Sequence, residues 1–459
     1  MTKRLRNHQK DALRYTLNVK HPALFMQMRL GKTLVALRRL SMLQPMNELG
    51  GLRVLVVAPS SALGGWEEQG KEEGWSITWL IGNKDERRKK LTLLSEGLHL
   101  INKEGWIALP EIKDYPWDAV VADESTFLKN PSPKVTKFFI RNFRDVQMRM
   151  ILTGTPNPEG AENFYCQFAF LYGMAFGCKD YWAFRMKFMQ PHPAGFGWVL
   201  KPGAKDTLLR EVGRRACVMR RSDVGYAEQR VYEKRTFIMP PKLRKAYDKL
   251  EKEFEIEWKK KQISTKWTGS KYQWLRQMCG GIIDGDLVWG DKVTEVISLL
   301  QGELKNEKLV VWCNYNAEVE VLRKALDHAK ISTVAMTGKT KLSDRNVIRK
   351  KFHTKKNPQV LVLQQAIAQT GMDLSKADTA IYYSTPLSGF ARAQTEDRIL
   401  SIEKIEKGTP MLFIDLVTEG TVDEDAMELI KDKKQNSDIS YSRALGRAMK
   451  ERLSWTRSM

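Results

Sequence analysis

The sequence predicts an α/β protein built from two parallel-sheet lobes with helical protrusions between them. Two observations carry the α/β part. Short apolar, β-branched runs alternate with longer amphipathic stretches from Leu5 to about Gly160, and the alternation returns from Asp291 to about residue 430. Between them the texture is aromatic, then lysine-rich. The length of 459 residues allows two to four domains, each large enough to bury a core. The expected boundaries are 1–160 for the first lobe, 161–225 for its protrusion and 226–290 for a linker with a second basic protrusion. Residues 291–430 then form the second lobe and 431–459 a basic helical tail.

In the first lobe Ala23–Met26 is a strand candidate, and a helix is expected from Lys32 to about Met42. Val54–Ala58 is a continuous β-branched run, the pattern of a strand buried on both faces. Ala119–Ala122 and Met150–Leu152 repeat it. From Ala161 to about Asp223 aromatic helical segments are broken near Pro191–Gly197. Residues 241–262 read as one highly charged helix. Strand candidates of the second lobe are Leu309–Cys313, Thr333–Met336, Val360–Leu363, Ala380–Tyr383 and Met411–Asp415. In the tail, eight lysines and arginines face three acids.

Composition bounds the chemistry. Lysine and arginine number 76 against 54 acids, a net charge of +22, which points to a polyanionic partner such as nucleic acid. No apolar run approaches the roughly 18 residues that span a bilayer, and the N-terminus lacks a secretory pattern, so a cytoplasmic setting is expected. Five scattered cysteines form no C-x-x-C pair and no disulfide framework. The six histidines do not supply a zinc pattern beside them.

Met28-Arg29-Leu30-Gly31-Lys32-Thr33 lies between a strand and a helix. Backbone N–H groups at such a helix start can cradle phosphates, with Lys32 reaching the β- and γ-phosphates and the Thr33 hydroxyl holding Mg²⁺. The chain repeats the tripeptide at Gly338-Lys339-Thr340. Order along the chain separates the two. About 90 residues after Lys32, Asp123-Glu124 ends a strand, where Asp123 can orient Mg²⁺ and Glu124 can activate water. Thr153-Gly154-Thr155-Pro156 then ends another strand, and its hydroxyls can link a nucleotide site to a polymer site. No such series follows Lys339, which is assigned to the second lobe's surface.

This series resembles the superfamily-2 helicases and, within them, the SWI/SNF-type ATPases, over roughly residues 5–425. The resemblance implies that the two parallel-sheet lobes are RecA-like, with ATP and Mg²⁺ as ligands. Leu5-Arg6-Asn7-His8-Gln9 is similar to the adenine-reading motif, implying Arg6 and Gln9 at the nucleotide. Ala58-Pro59-Ser60-Ser61 with Trp66 is similar to a motif that touches DNA, implying Pro59, Ser60 and Trp66 as contacts. Lys129-Asn130 trails the acidic motif, and Met219-Arg220-Arg221 is similar to the arginine pair leading to the linker. Leu275-Arg276-Gln277-Met278-Cys279 resembles part of the second protrusion. Thr337–Thr340 with Arg345 and Phe352 fits a turn-and-helix element. Gly371-Met372-Asp373-Leu374 and Gln394-Thr395-Glu396-Asp397-Arg398 match the last two motifs, implying Gly371, Asp373 and Gln394 at ATP and Arg398 as arginine finger.

Ser125 after Asp123-Glu124, and Ala368-Gln369-Thr370-Gly371, look closest to the annealing-helicase branch, with Gln369 and Thr370 at the nucleic acid. The compact layout resembles phage or prokaryotic members, which implies a monomer in a prokaryotic or phage-infected cytoplasm, with replication or recombination proteins as candidate partners. Three departures stand out: Arg29 replaces a glycine, Thr126 a histidine, and Ser401 a second arginine. Arg392 and Lys404 are alternative cations to Arg398. The implied activity is ATP-driven translocation on duplex or forked DNA. A strand-separating DNA or RNA helicase, a non-catalytic binding module with a degenerate ATP site, and a motor subunit serving an enzyme on another chain stay open. Trp66, Trp117, Trp182, Trp274 and Trp312 are weighed as base-stacking residues, with core packing the commoner role for all but Trp66.

Overall fold

The computed structural model describes residues 4–43, 51–60, 62–154, 156, 160–191, 198–226, 229–253, 255–258, 261–264, 268–354, 356–368, 372–386, 388–428 and 430. The side chains of 252–271, 342, 343 and 390 lie outside that description. The fold is α/β, with two large parallel sheets of seven and six strands. The chain divides into two compact units between Tyr226 and Ala227.

The first unit holds the seven-stranded sheet. Its order across the sheet is Ile77–Trp79, Gly97–Asn102, Arg53–Ala58, Ala119–Asp123, Met148–Leu152, Ala23–Met26 and Ala216–Met219. Every pairing is parallel. The β-branched run works as the sequence implies. Leu55 and Val57 enter one apolar cluster while Val54, Val56 and Ala58 enter another. Burial on both faces removes the need for a polar side and gives the unbroken hydrophobic run. Helices Phe164–Tyr172 and Tyr181–Phe188 pack aromatics into the first cluster.

The second unit orders its strands Arg230–Phe237, Met411–Thr418, Thr379–Tyr382, Leu309–Cys313, Val360–Gln364 and Thr333–Met336, again all parallel. Its five sequence-predicted strands are present. Four strands of the two sheets were not anticipated: Ile77–Trp79, Gly97–Asn102, Ala216–Met219 and Arg230–Phe237. Ala216–Met219 closes an edge of the first sheet, and Arg230–Phe237 an edge of the second. The latter carries Arg230, Glu233, Lys234 and Arg235 among its eight residues, a charged pattern suited to an exposed edge.

The charged stretch 241–262 is corrected. A helix covers Pro241–Glu253, after which Glu255–Trp258 pairs antiparallel with Lys261–Ser264. The alternation Glu255-Ile256-Glu257-Trp258 has the period of a strand, and it overrides the high helix propensity of its lysines and glutamates. Met189–Pro191 pairs antiparallel with Trp198–Leu200, and the residues between them in the expected break lie outside the described residues. Residues 431–459, the expected tail, lie outside the described residues. All five cysteines are buried and none is in a disulfide. Among the described residues no helix is long and apolar enough to cross a membrane.

Candidate active site

The site of the first unit grows from the C-terminal ends of three neighbouring strands, Ala23–Met26, Ala119–Asp123 and Met148–Leu152. Open parallel sheets bind ligands at such ends. After Met26 the chain turns through Gln27–Gly31 into the helix Lys32–Ser41. Arg29 and Gly31 both lie in the left-handed region, at φ 70° and 81°. For Gly31 the space agrees: an added Cβ would stand 2.2 Å from Gln9 Nε2. For Arg29 the same backbone costs on the order of 1 kcal/mol.

The loop is strapped from two sides. Gln9 Nε2 donates to Leu30 O at 3.3 Å, and the His8 ring meets the same carbonyl at 3.2 Å. Gln9 Oε1 accepts from Arg6 N–H at 2.9 Å, and the Arg6 guanidinium donates to the Tyr226 hydroxyl. From the other side Arg221 Nη1 donates to Met28 O at 3.0 Å, and Arg221 N–H to Gln27 Oε1 at 2.8 Å. Arg221 is buried. This corrects its expected place at the nucleic acid, because its charge is turned inward onto the phosphate loop. Arg220 is different: it is half-buried and pairs with Asp223.

Lys32 Nζ donates to Met26 O at 2.9 Å and lies close enough to Asp123 to favour its ionised form. Asp123 is only 7% exposed. Its Oδ2 accepts from Trp66 Nε1 at 2.8 Å and its Oδ1 from Glu124 N–H at 2.9 Å. Burial, reinforced by the Glu124 charge, pushes the Asp123 carboxyl up to about 6, against the pull of the Trp66 N–H and Lys32. Glu124 sits at φ 49°, and the Thr153 hydroxyl donates to its Oε2 at 3.3 Å. Lys32, Asp123, Glu124 and Thr153 therefore converge. Thr155 lies outside the described residues.

Two hard oxygen donors, Asp123 and the Thr33 hydroxyl, suit Mg²⁺, which takes few protein ligands and fills its shell with phosphate and water. Among the described residues no group of three or more His, Cys, Asp or Glu side chains could hold a metal.

Sequence reasoning missed Gln167. Ser125 Oγ donates to its Oε1 at 2.7 Å, while its Nε2 donates to Pro156 O at 2.6 Å and Asn163 O at 2.9 Å. It ties the acidic turn to the Thr153–Pro156 turn. The one signal was its setting, a glutamine in the otherwise apolar helix Phe164–Tyr172.

The tryptophans sort in an unexpected way. Trp66 is 1% exposed, so its ring is closed to a nucleic-acid base, which corrects its expected stacking role. Trp117 and Trp312 are also buried, Trp274 is half-buried against a core cluster, and Trp182 is 60% exposed. Pro59 is buried and Ser60 and Lys129 are half-buried.

In the second unit the helix Gly389–Ile399 carries Arg392, Gln394 and Arg398. Arg392 grips both carboxylate oxygens of Asp415, donates from Nε to Glu396 Oε1 at 2.6 Å and lies 3.5 Å from the Tyr382 ring centroid. Lys404 Nζ is 2.7 Å from Asp378 and also donates to Ala377 O and Ile399 O. Both alternative cations are thus committed to internal partners. Ser401 has its own role, accepting from Lys404 N–H at 3.2 Å as N-cap of Ile402–Lys407. Arg398 is buried, and its carbonyl accepts from Leu374 N–H. Gln394 Oε1 is buried without a hydrogen-bond partner among the described residues. Such an orphan acceptor is costly and suits a ligand-facing position. Asp373 Oδ1 accepts from Ser375 N–H at 3.0 Å. Gln369, Thr370 and Gly371 lie outside the described residues.

Two family models match the chain. The SNF2-related domain matches residues 8–273, and the helicase conserved C-terminal domain matches residues 291–403. The ATP-dependent helicase fft1 of Schizosaccharomyces pombe is 24% identical over 147 residues, 32% of this chain and 15% of that protein. The human SWI/SNF-related matrix-associated actin-dependent regulator of chromatin subfamily A containing DEAD/H box 1 is 23% identical over 153 residues, 33% of this chain and 15% of that protein. The matched region thus spans about 15% of the length of these curated relatives. A solved structure, the Sulfolobus solfataricus SWI2/SNF2 ATPase core in complex with dsDNA, aligns with a TM-score of 0.44 at 18% identity, covering 98% of this chain and 95% of that one.

Proposed function

The chain belongs to the SNF2-related family, and from that premise we propose that it is a DNA-dependent ATP hydrolase, translocating on double-stranded or forked DNA. Its output on this reading is branch migration, annealing or protein displacement. One observation supports it above the others: Lys32, Asp123, Glu124 and Thr153 converge at the strand ends of one parallel sheet.

Each residue then has a task. Lys32 and the backbone N–H groups from Gly31 hold the β- and γ-phosphates. Thr33 and Asp123 hold Mg²⁺, which when bound neutralises phosphate charge and fixes the oxygens. Glu124, steadied by the Thr153 hydroxyl, accepts a proton from the attacking water. Arg6 and Gln9 shape the adenine side, and in the second unit Gln394, Asp373 and Gly371 are the residues that the family resemblance assigns to ATP. Arg398 supplies the positive charge that stabilises the transferring phosphoryl group. Arg398 takes this role from its place in Gln394-Thr395-Glu396-Asp397-Arg398, the stretch that resembles the family's last motif.

Pro59, Ser60, Lys129, Arg220, Gln369 and Thr370, with Thr155 as coupling residue, are the proposed nucleic-acid side. Contacts to phosphates carry no sequence information, so binding is non-specific and falls steeply with salt. The finer placement beside the annealing helicases rests on Ser125 and on Ala368-Gln369-Thr370-Gly371. The test is ATP turnover without polymer and with single-stranded, duplex and forked DNA and with RNA, for the unaltered chain and Lys32→Ala. Stimulation by duplex or forked DNA, absent in Lys32→Ala, is expected. Equal rates with and without DNA overturn the proposal, and stimulation by RNA alone replaces it with an RNA helicase.

A further inference from the structure

The indole of Trp66 is enclosed in the apolar cluster of Leu63, Val56, Ala58 and Val121, yet its one polar atom is not idle. An indole N–H can only donate, and it donates to Asp123 Oδ2 at 2.8 Å between two buried side chains. With Oδ1 held by Glu124 N–H, each carboxylate oxygen has a fixed partner, and the plane of the carboxylate is set. The other end of Trp66 is equally anchored. Its backbone N–H donates to Ala62 O at 3.2 Å, and Ala62 N–H donates to Pro59 O at 2.8 Å. An unbroken route of short bonds runs from the Pro59–Ser60 turn, through the first turn of the helix Leu63–Glu72, to the carboxylate. The neighbouring Thr126 offers no such route, since its hydroxyl turns back to Glu124 O.

We propose that Trp66 is a positioning residue, which aims Asp123 at the divalent cation and links the cation's hold to the position of the Pro59–Ser60 turn. The proposal rests on the reading of Asp123 as the Mg²⁺-holding carboxylate. Movement of the turn, as when a phosphate backbone docks on it, shifts the helix start and with it the indole. Because the site is closed-packed, that shift cannot be absorbed by a void.

The test replaces Trp66 in the full chain by 3-benzothienylalanine, which keeps the ring shape and removes only the N–H, with Trp66→Phe as second variant. Mn²⁺, a hard-oxygen stand-in for Mg²⁺, is titrated by electron paramagnetic resonance with a non-hydrolysable ATP analogue, with and without duplex DNA. Loss of one buried hydrogen bond to a charged group predicts Mn²⁺ affinity about tenfold weaker. Nucleotide affinity in chelator stays unchanged, and the melting temperature of the benzothienyl variant falls by no more than a few degrees. DNA alters Mn²⁺ affinity in the unaltered chain and leaves it unmoved in the variant. A variant with unaltered Mn²⁺ affinity, or one that still responds to DNA as the unaltered chain does, overturns the proposal. If DNA moves neither Mn²⁺ affinity nor turnover in the unaltered chain, the translocase reading fails, and the Mn²⁺ titration without DNA still decides whether Trp66 positions Asp123.

Discussion

Gly31-Lys32-Thr33 and Gly338-Lys339-Thr340 share a tripeptide and a place after a parallel strand, yet they are built differently. In the first loop Gly31 takes a left-handed φ, the helix begins at Lys32, and the lysine points back across the loop to Met26 O beside Asp123. In the second, side chains fill the loop. Thr337 N–H donates to Thr340 Oγ1, Gly338 N–H to Gln364 Oε1 and Lys339 N–H to the Thr337 hydroxyl. Arg345 caps the carbonyls of Thr340 and Gly338, and Lys339 is exposed. A phosphate cradle needs backbone donors, a lysine and a carboxylate partner in one place. The tripeptide alone supplies one part of that.

The contrast is sharpest within the second unit, where the residue assigned to hydrolysis is Arg398 and not Lys339. Arg398→Ala is expected to lower ATP turnover by about 10³-fold or more while sparing nucleotide binding. Lys339→Ala should leave both within about twofold, measured by phosphate release and analogue titration. Matching losses in the two variants would erase the distinction between the loops. Between the loops themselves, Lys32→Ala should cost about 10²–10³ in turnover.

A smaller effect separates the glycines. Gly31→Ala places a Cβ against Gln9 and pays for left-handed backbone, so it should weaken ATP-analogue binding about tenfold and destabilise by roughly 1–2 kcal/mol. At Gly338 an added Cβ meets only Gln364 Oε1 at 3.6 Å, so Gly338→Ala should be tolerated in both measurements. Arg29→Gly relieves left-handed strain and should raise stability by about 0.5–1 kcal/mol in chemical denaturation.

The least effect concerns pH. His21 lies buried against Arg149, and burial, with the Arg149 charge, lowers its proton affinity from 6.5 to about 4. The unfolded chain then binds a proton that the folded chain refuses. Stability should therefore fall as pH drops from about 6.5 to about 4, and His21→Gln should flatten that part of a melting-temperature profile.

The buried strands and the order of Lys32, Asp123-Glu124 and Thr153 were legible because each is a local pattern. Apolar runs and strand-end polar residues announce themselves without knowledge of neighbours. Gln167, Arg221 and Trp66 were not, since their roles depend on partners 42, 193 and 57 positions away. A motif position told that Trp66 and Arg221 mattered, but not that both face inward. The edge strand Arg230–Phe237 escaped because its charges hide a period of two, and 241–262 misled because its lysines and glutamates are good helix formers on either side of Glu253.

The buried grip of Arg392 on Asp415 and Glu396 has a further consequence for how the molecule meets ionic strength. Dissolved ions screen charges at the surface far more than charges shut away from water. With Arg392, Glu396 and Asp415 all enclosed, the frame of the helix Gly389–Ile399 is insulated from salt, whereas the surplus lysines outside are not. A salt concentration that screens the exposed lysines therefore leaves the Arg392 frame held as firmly as before.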